Sequence, residues 1–192
     1  AGRSLIYVES SYVDFSNLEI KDNSYGFFMK ESSGSITDSD INVKCSGIDT
    51  NSHKVTGTIN HTLVINDNTI TTADGSGITA YDGAIVVAER NTISGAASGS
   101  GFGIRSSTVT ANNNVIGPIG GWNGLWIYGT SDVVAENNTI QDTAKEAVLI
   151  GEYHYLDQGW NVPTPTASRL YLANNQISNN TGICNSQMYD GD

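Results

Sequence analysis

The residues able to do chemistry in this chain are few and scattered. Asp82 and Glu152 are candidate carboxylates for glycoside hydrolysis, a reaction that needs two carboxyls roughly 5–10 Å apart. Arg105 with His154, and with Tyr153 and Tyr155 beside that histidine, would supply the cation and base of a lyase or epimerase. Tyr81, Trp126, Tyr128, Tyr153 and Trp160, together with Arg105, offer rings and a polar group suited to a sugar, whose pyranose face stacks on aromatics. His53, His61 and His154 share no ligand spacing, so no transition-metal site is expected. Asp38 with Asp40, and Asn66-Asp67-Asn68, offer oxygen ligands for calcium, and ordinary turn composition explains them equally well.

Any such residues must be held by an unusual scaffold. Gly, Ser, Asn and Thr together make up 80 of the 192 residues, yet 38% of the chain is hydrophobic and spread at regular intervals. Twenty Asp and Glu against nine Lys and Arg give a net charge of −11. Binding a polyanion relies on clustered cations, so neither nucleic acid nor anionic lipid is an expected partner. No run of about 18 apolar residues occurs, so no membrane-inserted helix is expected. Ala1-Gly2-Arg3 leads straight into a strand-like pattern, as in a mature secreted protein or a fragment. An extracellular or cell-surface location fits.

The positioning elements come from an internal repeat. Asn-x-Ile recurs at Asn68–Ile70, Asn91–Ile93, Asn114–Ile116, Asn138–Ile140 and Asn175–Ile177, with Ile spacings of 23, 23, 24 and 37. Ser39-Asp-Ile41 is a weaker copy. A small residue before an apolar strand keeps step with it: Ser4-Leu5, Gly26-Phe27, Gly47-Ile48, Gly77-Ile78, Gly103-Ile104, Gly124-Leu125, Ala147-Val148 and Gly182-Ile183. A third strand lies between them, giving three short strands per period of about 23 residues and almost no helical periodicity. Strands this short at this period bury enough surface only by stacking coil on coil, about 4.8 Å apart. The expected fold is all-β: one parallel β-helix domain over 1–192 with about seven coils. The ladder isoleucines are expected inside and the ladder asparagines in left-handed turns.

On these repeats the chain resembles the pectate-lyase-like superfamily of right-handed parallel β-helix proteins, from about Leu5 to Ile183. The resemblance implies a stacked Asn ladder and a substrate groove over one strand face. The chain lacks the Asp-Pro-His of mannuronan epimerases and the paired Asp and Gly-His-Gly of polygalacturonases. It also lacks the clustered Asp with flanking Arg and Lys of pectate lyases.

Alternation along the small-residue strand puts Ile6, Phe28, Asp49, Thr79, Arg105, Trp126, Leu149 and Cys184 in one outward row. The next row reads Val8, Lys30, Asn51, Tyr81, Ser107, Tyr128 and Gly151. Two insertions, near residues 51–61 and 151–166, follow this strand and would wall in a floor of Tyr81, Arg105, Trp126 and Tyr128. Asp82 and Glu152 would then stand three coils apart, roughly 14 Å, too far for one glycosidase pair. Cys45 and Cys184 would be on the order of 25–30 Å apart, beyond reach of a disulfide.

Two functions compete at this level. One is a polysaccharide-binding or polysaccharide-processing module using the aromatic face. The other is a structural surface or filament subunit that self-associates through uncapped coil ends, with Ile6 and Val8 as outward apolar groups.

Overall fold

A computed structural model describes residues 4–52, 61–151 and 168–181. Its coils each contribute three strands. The first is β1 (Ser4–Glu9), β2 (Tyr12–Ser16) and β3 (Glu19–Asn23). The second is β4 (Tyr25–Lys30), β5 (Ser33–Thr37) and β6 (Asp40–Val43). The third is β7 (Ile48–Asn51), β8 (Thr62–Asn66) and β9 (Thr69–Thr72). Then come β10 (Ile78–Tyr81), β11 (Ile85–Glu89) and β12 (Thr92–Gly95), followed by β13 (Phe102–Arg105), β14 (Thr108–Asn112) and β15 (Val115–Ile119). The last two coils are β16 (Leu125–Tyr128), β17 (Asp132–Glu136) and β18 (Thr139–Gln141), then β19 (Val148–Ile150), β20 (Arg169–Ala173) and β21 (Gln176–Ser178).

Every third strand pairs in parallel, so the coils form three seven-stranded sheets around one core. The sheet from β1 to β19 is called the A sheet, that from β2 to β20 the B sheet and that from β3 to β21 the C sheet. Ile70, Ile93, Ile116 and Ile140 stack in register, fully buried, inside the C sheet. Ile177 continues the row but is 52% exposed on the last described coil. The two repeating phrases are one packing unit. A Cβ on Gly77, Gly101 or Gly124 would lie only 2.3–2.4 Å from the Cγ2 of Ile93, Ile116 or Ile140. Over these three isoleucines only a residue without a side chain fits.

That contact corrects the sequence register. The glycine in phase with Gly77 is Gly101, not Gly103, because Ile78 pairs with Phe102 and Tyr81 with Arg105. Three glycines in five residues hid the true one. The outward rows are therefore Tyr7, Phe28, Asp49, Thr79, Gly103, Trp126 and Leu149, then Glu9, Lys30, Asn51, Tyr81, Arg105 and Tyr128; Ile150 pairs with Ile127 of the inward row. Ser107 belongs to the corner after the strand and is buried. The first coil is likewise shifted by one: Ile6 and Val8 face the core, and Leu5 and Tyr7 face out.

The Asn ladder is a buried hydrogen-bond chain. Each Nδ2 donates to the next Oδ1, at 3.0 Å from Asn68 to Asn91, Asn91 to Asn114 and Asn114 to Asn138, and at 2.9 Å from Asn138 to Asn175. The left-handed angles fall one residue earlier than expected, at Asp67, Arg90, Asn113, Asn137 and Asn174. The ladder asparagines are there for their amides, which satisfy backbone groups that the corner would otherwise strand. Ser39 begins the row, its hydroxyl accepting from the Leu18 backbone at 3.1 Å.

Candidate functional site

The outward faces of the A-sheet strands, with the corners that precede them, enclose a cleft of about 340 Å³. Its floor is the row Phe28, Asp49, Thr79, Gly103, Trp126, and one wall is the corner carrying Ser46, Ser76, Ser100 and Trp122. Strand alternation puts each floor residue outward, and parallel register sets them one coil apart. Phe28 and Trp126 thus stand four coil steps apart, roughly 19 Å. The Tyr81 hydroxyl closes over Gly103 between them: a Cβ there would approach Tyr81 Oη to 3.3 Å.

At one end the aromatics form a continuous cluster. The Trp126 ring lies 4.9 Å from Trp122 and stacks on Tyr128 at 4.4 Å, and Tyr128 meets Tyr81 edge-on at 6.5 Å. Trp126 is half-buried, whereas Tyr128 is only 6% exposed and supports it from beneath. At the other end Phe28 stacks on Tyr7 at 5.6 Å.

Two carboxylates distinguish the polar part. Asp49 accepts a 2.6 Å hydrogen bond from Thr79 Oγ1, and the Ser46 hydroxyl also bonds it. Burial pushes its pKa above the usual carboxylate range, more than these two bonds lower it. The sign of the linkage is clear. A carboxyl whose folded pKa is raised contributes stability below its unfolded pKa, and that contribution is lost as pH rises through the folded pKa. Ionising Asp49 is therefore a cost to the fold, of the kind usually tolerated at functional positions.

Asp82 is engaged differently. Arg105 donates to it through Nε at 3.0 Å and a terminal nitrogen at 2.6 Å, and the guanidinium lies 4.8 Å from the Tyr81 ring centroid. This pair locks Arg105 into the row between Tyr81 and Tyr128.

The structure places Tyr81, Asp82, Arg105, Trp126 and Tyr128 on neighbouring coils, with Arg105 in the row of Tyr81 and Tyr128. Glu152, Tyr153, His154, Tyr155 and Trp160 lie outside the described residues, so the glycosidase and lyase pairings that use them acquire no geometry. Trp122 and Asp49 were missed as site residues. Trp122 sits in a corner where strand periodicity gives no signal, and Asp49 was legible only as an acid inside a row of apolar and neutral neighbours.

The suggested calcium turn at Asn66–Asn68 has its oxygens otherwise engaged. Asp67 holds Arg90 with two 2.8 Å bonds, Asn66 Oδ1 accepts from the Glu89 backbone, and Asn68 is a ladder rung. Asp40 stands 4.0 Å from Lys21. Among the described residues no group of three or more His, Cys, Asp or Glu could hold a metal. Cys45 forms no disulfide among them, and Cys184 lies outside.

The family model for the right-handed β-helix region matches residues 4–152 and again 52–187. This chain belongs to the right-handed β-helix family. The two matches overlap over residues 52–152. Comparison of this β-helix with curated proteins and with solved structures gave no match in either case. The family establishes the fold, and a fold of this kind leaves the activity to the site.

Proposed function

We propose that this β-helix binds polysaccharide along the outward face of its A sheet. The observation that carries the reading is the half-buried Trp126, backed by Trp122 and Tyr128, at the end of a polar cleft. Rings braced from behind stack on a sugar face with little loss of side-chain freedom, and flanking hydroxyls meet the sugar's polar edge. Such a ligand fits an extracellular or cell-surface setting. Processing of the bound chain would draw on Asp49 or Asp82, the acids on this face, with Arg105 fixed beside Asp82.

Trp126→Ala is expected to weaken binding by about 1–2 kcal/mol, judged from aromatic packing magnitudes. Thr110→Ala, on the outward face of the B sheet, should change nothing. Isothermal titration against soluble oligosaccharides reads both. Binding unaffected by Trp126→Ala combined with Trp122→Ala would remove the site from this face.

A second reading, end-to-end self-association, is favoured by one observation. Leu5, Tyr7 and Tyr12 are 51%, 56% and 73% exposed on the first described coil, and Tyr171, Leu172 and Ile177 are exposed on the last. Parallel coils offer unpaired strand edges that another strand can satisfy, and a head-to-tail contact runs on as a fibre. Under that reading light scattering shows mass rising with concentration, and Tyr7→Lys with Leu5→Lys suppresses the rise. A constant monomer mass would end it.

A further inference from the structure

We propose that the A-sheet cleft takes sugars that carry hydrogen-bond donors and no carboxylate, and that Asp49 sets this preference. The inference rests on the polysaccharide-binding reading and names its substrate class.

Charge decides it. Among the described residues that line the cleft, Asp49 is the one charged side chain, and no Lys or Arg is present. The nearby cations are engaged by other groups. Arg105 is clamped by both oxygens of Asp82 against Tyr81, Lys30 pairs with Glu9 at 2.5 Å, and the Lys145 ammonium lies 4.5 Å from the Trp122 ring centroid. A uronate laid over the floor would bring its carboxylate beside Asp49 in a partly dehydrated space. Like charges so placed repel strongly and shut out the wrong partner.

The same group favours hydroxyls. Thr79 and Ser46 each give Asp49 one hydrogen bond, which leaves a carboxylate with further lone pairs able to accept sugar O–H groups. Bonds to an ionised acceptor are stronger than neutral ones. One row over, Asn51 Oδ1 is buried and accepts no hydrogen bond from the described residues, which adds a second acceptor beside Asp49. The desolvation that raises the Asp49 pKa is consistent with a group kept at a cost to stability because a ligand uses it.

Titration calorimetry at neutral pH and low salt tests this on the full chain, with cello-, xylo- and manno-oligosaccharides against oligogalacturonates of matched length. The wild type should bind at least one neutral series on the order of tenfold more tightly than the uronate series. Asp49→Asn should shrink that ratio by about tenfold, chiefly through gained uronate affinity. It should also melt at or above the wild type, since the amide removes a buried charge while still accepting from Thr79. Asp49→Ser provides the same ratio test if the amide fails to fold. Wild-type preference for oligogalacturonate, or an unchanged ratio in both variants, overturns the inference and leaves polysaccharide binding standing. If no series binds, both readings fall together.

Discussion

Ile116→Asp should yield a chain that does not fold. Ile116 is fully buried, stacked between Ile93 and Ile140, with its Cγ2 under Gly101. The substitution removes a branched side chain from a site that cannot collapse, because the backbone above and below is fixed by the coil spacing. That alone costs about 2–5 kcal/mol. It also places a carboxyl where no donor can reach it, and burying an unpaired charge adds several more. A domain stabilised by about 5–15 kcal/mol does not survive the sum. Val115→Asp is the matched control, one residue away, 40% exposed on the outside of the same strand. It should shift stability by no more than about 1 kcal/mol. Circular dichroism and thermal melts on the pair decide the matter. A cooperative transition near the wild-type temperature for Ile116→Asp would refute the stacked-isoleucine core.

Asn114→Leu should destabilise by about 3–5 kcal/mol despite its matched volume, because it orphans buried polar partners rather than opening a cavity. Asn114 Oδ1 accepts from the Asn91 backbone N–H at 2.9 Å and the Asn91 amide at 3.0 Å, and its Nδ2 donates to the Ala88 carbonyl at 3.0 Å. All of these lie at a corner closed to water, with Asn114 itself 1% exposed. Asn114→Ser should cost less. Ser39 already fills the equivalent place on the second coil, and its hydroxyl accepts from the Leu18 backbone of the coil before. Denaturant melts that rank leucine no worse than serine would show that the ladder is turn composition and not a structural chain. An exposed strand asparagine such as Asn42 should tolerate either change.

The solenoid is legible in the repeat alone. A ladder isoleucine every 23 or 24 residues, with a small residue in step, leaves no other way to bury the apolar third of the chain. The Asn ladder was legible for the same reason, since an identical residue at one phase of a stacked repeat must meet its own copies. Phase inside a coil was not legible where the repeat offered two candidates. Gly101 and Gly103 are both glycine before an apolar residue, and only contact with Ile116 chooses between them. That choice moved Arg105 from beside Trp126 into the row of Tyr81 and Tyr128, and put Gly103 on the floor. The site depended on the same step. Whether an outward side chain is an exposed ring, a buried brace or a desolvated acid is set by its neighbours on adjacent coils. Those neighbours stand 20 to 40 residues away in the chain. Tyr128 became a support beneath Trp126, Arg105 a partner of Asp82, and Asp49 the acid of the cleft through contacts that no local pattern encodes.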